Sequence, residues 1–95
     1  MKPPKIVALE NLDEEPYASI VCYPRTTPLE IYQRIDEMQK HGVTSIEFVG
    51  KTNASNVPVL GKGYVGVVVV ANVKGQKVAL KMRRIDADRL DFTHE

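Results

Sequence analysis

Residues 60–81 read LGKGYVGVVVVANVKGQKVALK, and their reading decides the fold. Gly61, Gly63 and Gly66 stand in the spacing G-x-G-x-x-G. That spacing alone is weak, because glycines recur at such intervals in several unrelated nucleotide sites. The residues directly behind the glycines discriminate between those sites. A dinucleotide-binding fold places a helix there, so that the pyrophosphate sits on its N-terminus. This chain has Val67-Val68-Val69-Val70 instead, a β-branched run that favours an extended strand. Asn72 to Gly75 carry turn chemistry, and Gln76 to Met82 read as a second strand. The stretch therefore predicts a glycine loop between two antiparallel strands, followed by a third strand that carries Ala79-Leu80-Lys81.

Upstream, Val57-Pro58-Val59-Leu60 enters the glycines as a short strand. Pro58 has no N–H to donate, so this strand is expected at a sheet edge. Gly50 to Asn56 (GKTNASN) reads as a polar loop and as the internal boundary between residues 1–50 and 51–95. The first unit opens with an apolar run, Lys5 to Leu9, interrupted by Asp13-Glu14-Glu15-Pro16. Ala18 to Tyr23 (ASIVCY) reads as a second strand, stopped by Pro24. A helix comes next, over Pro28 to Lys40. Thr27 is its N-cap, Pro28 takes the first helical position, and Glu30 completes a capping box. Leu29, Tyr32, Ile35 and Met38, with Ile31 beside them, form its expected apolar stripe, opposite Arg34, Glu37 and Lys40. His41-Gly42 supplies a cation and a left-handed stop. Val43 to Val49 is a third strand with no cleanly polar face. The expected fold class is α+β: a small β-β-α-β unit ahead of an antiparallel glycine-loop sheet. Beyond Lys81, the basic pair Arg83-Arg84 precedes Asp86 to Glu95, where a helix starts near Asp86 or Asp91 beside Leu90 and Phe92.

Composition narrows the function classes. Thirteen Lys and Arg against twelve Asp and Glu leave a net charge of +1, which gives no general attraction to nucleic acid. No apolar run approaches the roughly 18 residues of a membrane span, and Met1-Lys2-Pro3-Pro4 begins no signal peptide. The single Cys22 cannot form an internal disulfide, so a cytoplasmic setting is expected. Cys22 reads as a small buried residue rather than a nucleophile. His41 and His94 lie far apart in sequence, and a metal site needs three or four converging ligands, so no metal site is expected.

The combination G-x-G-x-x-G-x-V plus V-A-x-K, fifteen residues from Gly66 to Lys81, resembles the amino-terminal, ATP-binding lobe of a protein kinase. The resemblance covers about Val57 to Met82. The short extension before the loop and the VALKMRR ending are similar to small serine/threonine kinase-like proteins predicted in archaea. By that resemblance Gly61, Gly63 and Gly66 form a lid over the phosphates, with the backbones of Lys62, Tyr64 and Val65 at its tip. Glycines suit this role because a bare backbone can come close to phosphate oxygens and donate N–H groups to them. Leu60, Val68 and Ala79 pack on the adenine, and Lys81 contacts the α- and β-phosphates. In that family a glutamate from the next helix holds the lysine, and Glu95, fourteen residues after Lys81, is the candidate.

The departures are as informative as the match. No H-R-D and no D-F-G occurs among the 95 residues, and those motifs supply the catalytic aspartate and the magnesium ligands. The resemblance thus implies an ATP-binding fragment of a longer kinase, with Mg²⁺ bound only in the full-length protein, and a missing C-lobe or another chain covering its apolar face. The phosphorylated protein substrate is not legible. The competing reading is a non-catalytic α+β module that docks another protein.

Overall fold

A computed structural model describes residues 5–22, 27–64 and 66–83. Among these, strand β1 spans Lys5–Ala8 and leads through a single 3₁₀ turn at Leu9–Asn11 to helix α1, Tyr17–Val21. Helix α2 is Pro28–Lys40, followed by β2 Val43–Phe48, β3 Thr52–Ala54, β4 Val57–Val59, β5 Gly61–Lys62, β6 Gly66–Val73 and β7 Gln76–Arg83. The expected α+β class is observed, with an antiparallel sheet and two helices.

Strand β6 is the centre of the sheet. Along one edge it pairs with β7 over its whole length, from Gly66↔Arg83 to Val73↔Gln76. Along the other edge it is shared: β5 pairs with its first half (Gly61↔Val68) and β2 with its second (Glu47↔Val70). Strand β1 then adds to β2, with Val7 opposite Ile46. The valine run makes this position possible, because a central strand needs side chains that fit a pleated surface on both faces. Val67, Val69 and Ala71 are buried on one face, and Val68 and Val70 are half-buried on the other. The β6–β7 connection is a two-residue turn with Lys74 at φ 51° and Gly75 at φ 82°. Two consecutive left-handed residues match the twist of the flanking strands, and Gly75 adopts that conformation without Cβ strain.

One face of this sheet carries the core. Val7, Ile46, Phe48, Val67, Val69, Ala71 and Met82 pack with Ile20 and Val21 of α1, Ile31 and Met38 of α2, and Ala54, Val57 and Val59 of the β3–β4 hairpin in one cluster. The expected division at residues 50/51 falls between strands of one sheet: β2 hydrogen-bonds directly to β6, and side chains from both halves share the cluster.

Three readings of the sequence are corrected. The segment expected as a strand, Ala18 to Tyr23, is helical over Tyr17–Val21. The Ala18 N–H donates to Glu14 O at 2.9 Å and Cys22 N–H to Ala18 O at 3.0 Å, while Ser19 donates from both N and Oγ to Glu15 Oε1. Ala18, Val21 and Cys22, at helical spacing, are all buried. Burial at that spacing outweighs the strand preference of Ile20 and Val21. The polar loop at 50–56 contains β3, which pairs with β4 through a two-residue turn at Ser55 and Asn56, both at positive φ. Leu29 and Tyr32 do not belong to the buried stripe of α2; they are 68% and 58% exposed, and Ile31, Ile35 and Met38 face the core instead.

Thr27 caps α2 as expected, with the Glu30 side chain returning to the Thr27 hydroxyl. Thr27 Oγ1 accepts from the Glu30 N–H at 3.3 Å and donates to Glu30 Oε1 at 3.2 Å. Gly42 ends the turn after α2 at φ 87°. Thr27→Ala is expected to lower stability by about 1 kcal/mol, measured by urea unfolding, because one helix N–H loses its acceptor. The helix expected near Asp86 or Asp91, with Leu90 and Phe92, lies outside the described residues.

Candidate functional site

The motif residues fall on three neighbouring strands, β5, β6 and β7, and on the loop between the first two. Leu60 donates its N–H to Val68 O at 2.9 Å, which starts the β5–β6 pairing, and the Gly63 N–H donates to Gly66 O at 2.9 Å, which closes the loop. No helix stands behind Gly66; β6 begins there. The register then sets one lateral row, Gly61–Val68–Lys81, and a second, Glu47–Val70–Ala79. Directly paired residues in an antiparallel sheet share a face, so Val68, Val70, Ala79 and Lys81 lie together on the face opposite the core. Gly61 and Lys81 are two strand spacings apart, about 10 Å.

The three glycines differ in what demands them. At Gly66 an added Cβ would lie 2.1 Å from Met82 O and 2.9 Å from Arg83 Cα. The close approach of β7 backbone therefore accounts for this glycine by itself. Gly61 is different: a Cβ there meets only Val68, at 3.9 Å. At Gly63 a Cβ meets nothing within 4 Å, and neither residue has the left-handed φ that favours glycine. Nothing within the described fold requires a bare backbone at these two positions.

The loop and the lysine open onto different cavities. Lys62, Gly63 and Tyr64 wall one of about 220 Å³, shared with Ser19 and Ile20 of α1 and Ser55 of the hairpin. Lys81 lines another, of about 160 Å³, with Arg34, Glu37, Met38 and Arg83, where α2 meets the edge of β7. Tyr64 and Leu60 are exposed, at 86% and 45%, as are Lys62, Ala79 and Lys81. Lys81 makes no hydrogen bond or ion pair among the described residues. Val65, at the loop tip, and Glu95, the candidate partner of Lys81, lie outside the described residues.

The same face holds a buried acid that no motif marks. Glu47 is only 5% exposed although it stands opposite the core. Lys77 Nζ lies 3.3 Å from its carboxylate, and Asn72 Nδ2 donates to Ser45 Oγ at 2.9 Å beside it. The sequence signal was an acid between the apolar Ile46 and Phe48 of VTSIEFV, in a strand with no cleanly polar face. Of the β7 lysines, it is Lys77 and not Lys81 that has a carboxylate partner among the described residues.

Cys22 is fully buried and its thiol is pushed above the ordinary value of 9.0, first by burial, with the Arg34 cation opposing and the Glu30 carboxylate adding to the rise. A raised thiol is a poor nucleophile. Native Cys22 is expected to resist alkylation at pH 8 and to react once urea unfolds the chain. Linkage has a definite sign: the stabilisation from keeping the thiol protonated is complete below pH 9.0 and is lost as pH rises from there through the folded-state value. Alkaline unfolding of a Cys22→Ala variant should therefore show a weaker pH dependence above 9.0.

Among the described residues no group of three or more His, Cys, Asp or Glu is placed to hold a metal ion, and no helix is long and apolar enough to cross a membrane. Comparison with protein-family models, curated proteins and solved structures finds no match to this chain.

Proposed function

We propose that this chain is the ATP-binding lobe of a serine/threonine kinase-like protein, with the glycine loop and Lys81 positioning the phosphates for transfer by a longer chain. The observation that carries the reading is the pair Gly61 and Gly63. They are glycine without a steric or conformational reason inside the described fold, so the close approach they permit is to something outside it. Val68 and Ala79 then offer small apolar contact to adenine on the face shared with the Lys81 ammonium. A phosphate reaching the loop competes with Gly66 O for the Gly63 N–H. Mg²⁺ would be held by residues of the full-length protein.

Gly63→Ala tests this directly. The new methyl meets nothing, so folding is unchanged within about 0.5 kcal/mol. Mg-ATP affinity falls, because the methyl stands where the phosphate must approach. Gly66→Ala is the control: it disrupts the β6–β7 pairing and costs about 3 kcal/mol whether or not nucleotide binds. Unchanged ATP affinity in Gly63→Ala would remove the nucleotide reading.

A second reading, a non-catalytic protein-interaction module, is favoured by the exposed pair Leu29 and Tyr32 on α2, with Tyr64 and Leu60 on the loop. It predicts a complex or oligomer whose size, by light scattering, does not respond to ATP.

A further inference from the structure

We propose that the outer edge of β1 docks an extended basic segment of another protein, which joins the sheet as a further strand. Strand β1 pairs only with β2, at one end of the strand order. In an antiparallel pair every second residue turns its N–H and C=O away from the neighbour. β1 therefore carries backbone donors and acceptors that no other described strand takes up. Its register against β2 runs without a bulge from Lys5↔Phe48 to Ala8↔Ser45, which leaves the edge regular. The far edge of the sheet differs: β7 carries Lys77, Lys81 and Arg83, and charges along an edge discourage strand addition. On β1 only Lys5, at its start, is charged. A groove of about 480 Å³ follows all four residues of β1, and its other wall is formed by Asn11, Glu14, Glu15, Pro16 and Tyr17. That wall selects the charge of the occupant. Residues 9–16 (LENLDEEP) hold four acids and no cation. Glu14 and Glu15 are exposed, and neither is paired with a cation among the described residues. The open strand edge makes the surface; the acids decide which chain docks on it. A second copy of this chain is disfavoured, because it would bring its own Glu14 and Glu15 toward the first pair. Ile6, 61% exposed, lies on the other face of the sheet from Val7 and offers an apolar contact to the incoming strand. The occupant is thus an extended segment in which basic residues alternate with apolar ones. The groove shares no lining residue with either cavity of the candidate site, so the inference stands apart from the nucleotide reading.

The test uses this chain and a blocked heptapeptide alternating lysine and valine, titrated at about 0.15 M salt and followed by ¹H–¹⁵N NMR. The peptide is expected to shift the Lys5–Ala8 amides together with those of Glu14, Glu15 and Tyr17, and to slow hydrogen exchange in β1. A fully N-methylated version keeps the charges but cannot donate backbone hydrogen bonds, and its binding falls about tenfold. A version with glutamate in place of each lysine gives no shifts. Glu14→Gln combined with Glu15→Gln changes two exposed side chains and leaves the fold intact. It weakens the lysine peptide about threefold to tenfold and makes its binding less sensitive to salt. The proposal is overturned if the β1 amides stay still, or if the N-methylated peptide binds as tightly, which would reduce the contact to charge alone. Equal binding of the glutamate peptide overturns it too. Concentration-dependent protection of β1 without any peptide would put a second copy on this edge, and the proposal would fall.

Discussion

Phe48→Ala is expected to cost about 4 kcal/mol of stability, within the range for deleting a buried aromatic ring. Phe48 is 1% exposed and stacks on Tyr17, with ring centroids 4.9 Å apart and planes inclined by 28°. Removing the ring opens a cavity and loses an aromatic contact worth about 1 kcal/mol beyond its area. Domains of this size have about 5–15 kcal/mol in total, so the loss is a large fraction. The response also tests how the chain is divided. Phe48 ends β2, which belongs to residues 1–50 yet pairs with β6 in the second half. Urea unfolding should therefore show one transition, moved to lower urea, with helical and sheet signals lost together. Two separate transitions, with the glycine-loop sheet unaffected, would mean that the halves fold independently.

The parts of the fold legible in the sequence were those with strong local chemistry. Thr27-Pro28 and Glu30 carried the start of α2, and His41-Gly42 its end, because capping needs specific atoms at fixed offsets. Val67 to Val70 and the Lys74-Gly75 turn carried the β6–β7 hairpin for the same reason. The failures occurred where tertiary contact decides. Ile20 and Val21 favour a strand locally, but their side chains and that of Ala18 are buried in helical geometry against the core. Leu29 and Tyr32 matched a helical period, yet the core meets α2 about one residue further round, at Ile31, Ile35 and Met38. In the candidate site, the motif named Gly61, Gly63, Gly66 and Lys81 but not their inequality. That Gly66 is demanded by the β7 backbone, and Gly63 by nothing in the described fold, emerges only from three-dimensional proximity. Arg34 was equally hidden, since no motif joins α2 to a residue on β7.

Lys81→Ala carries the largest expected functional effect. If the proposed function holds, phosphoryl transfer in a longer protein that includes a catalytic loop is abolished, because the ammonium assigned to the α- and β-phosphates is gone. In this chain Mg-ATP affinity falls about tenfold to a hundredfold, the loss of a hydrogen bond to a charged group. Stability should stay within about 0.5 kcal/mol, since Lys81 is exposed and makes no hydrogen bond or ion pair among the described residues. Lys77→Ala is the contrasting variant. It leaves the buried Glu47 carboxylate without its cation and so lowers stability, with little effect on nucleotide.

The central claim is that bare backbone at Gly61 and Gly63 and the Lys81 ammonium, although they open onto separate cavities in this structure, serve one triphosphate. Titrating this chain with Mg-ATP into the millimolar range, and reading backbone amides by ¹H–¹⁵N NMR, tests it most directly. The account predicts that the Gly61, Gly63, Val68 and Lys81 amides shift along one binding curve, and that Lys81→Ala weakens the whole set together. Loop and strand signals that follow different curves, or that stay still while ATP perturbs other residues, would contradict it.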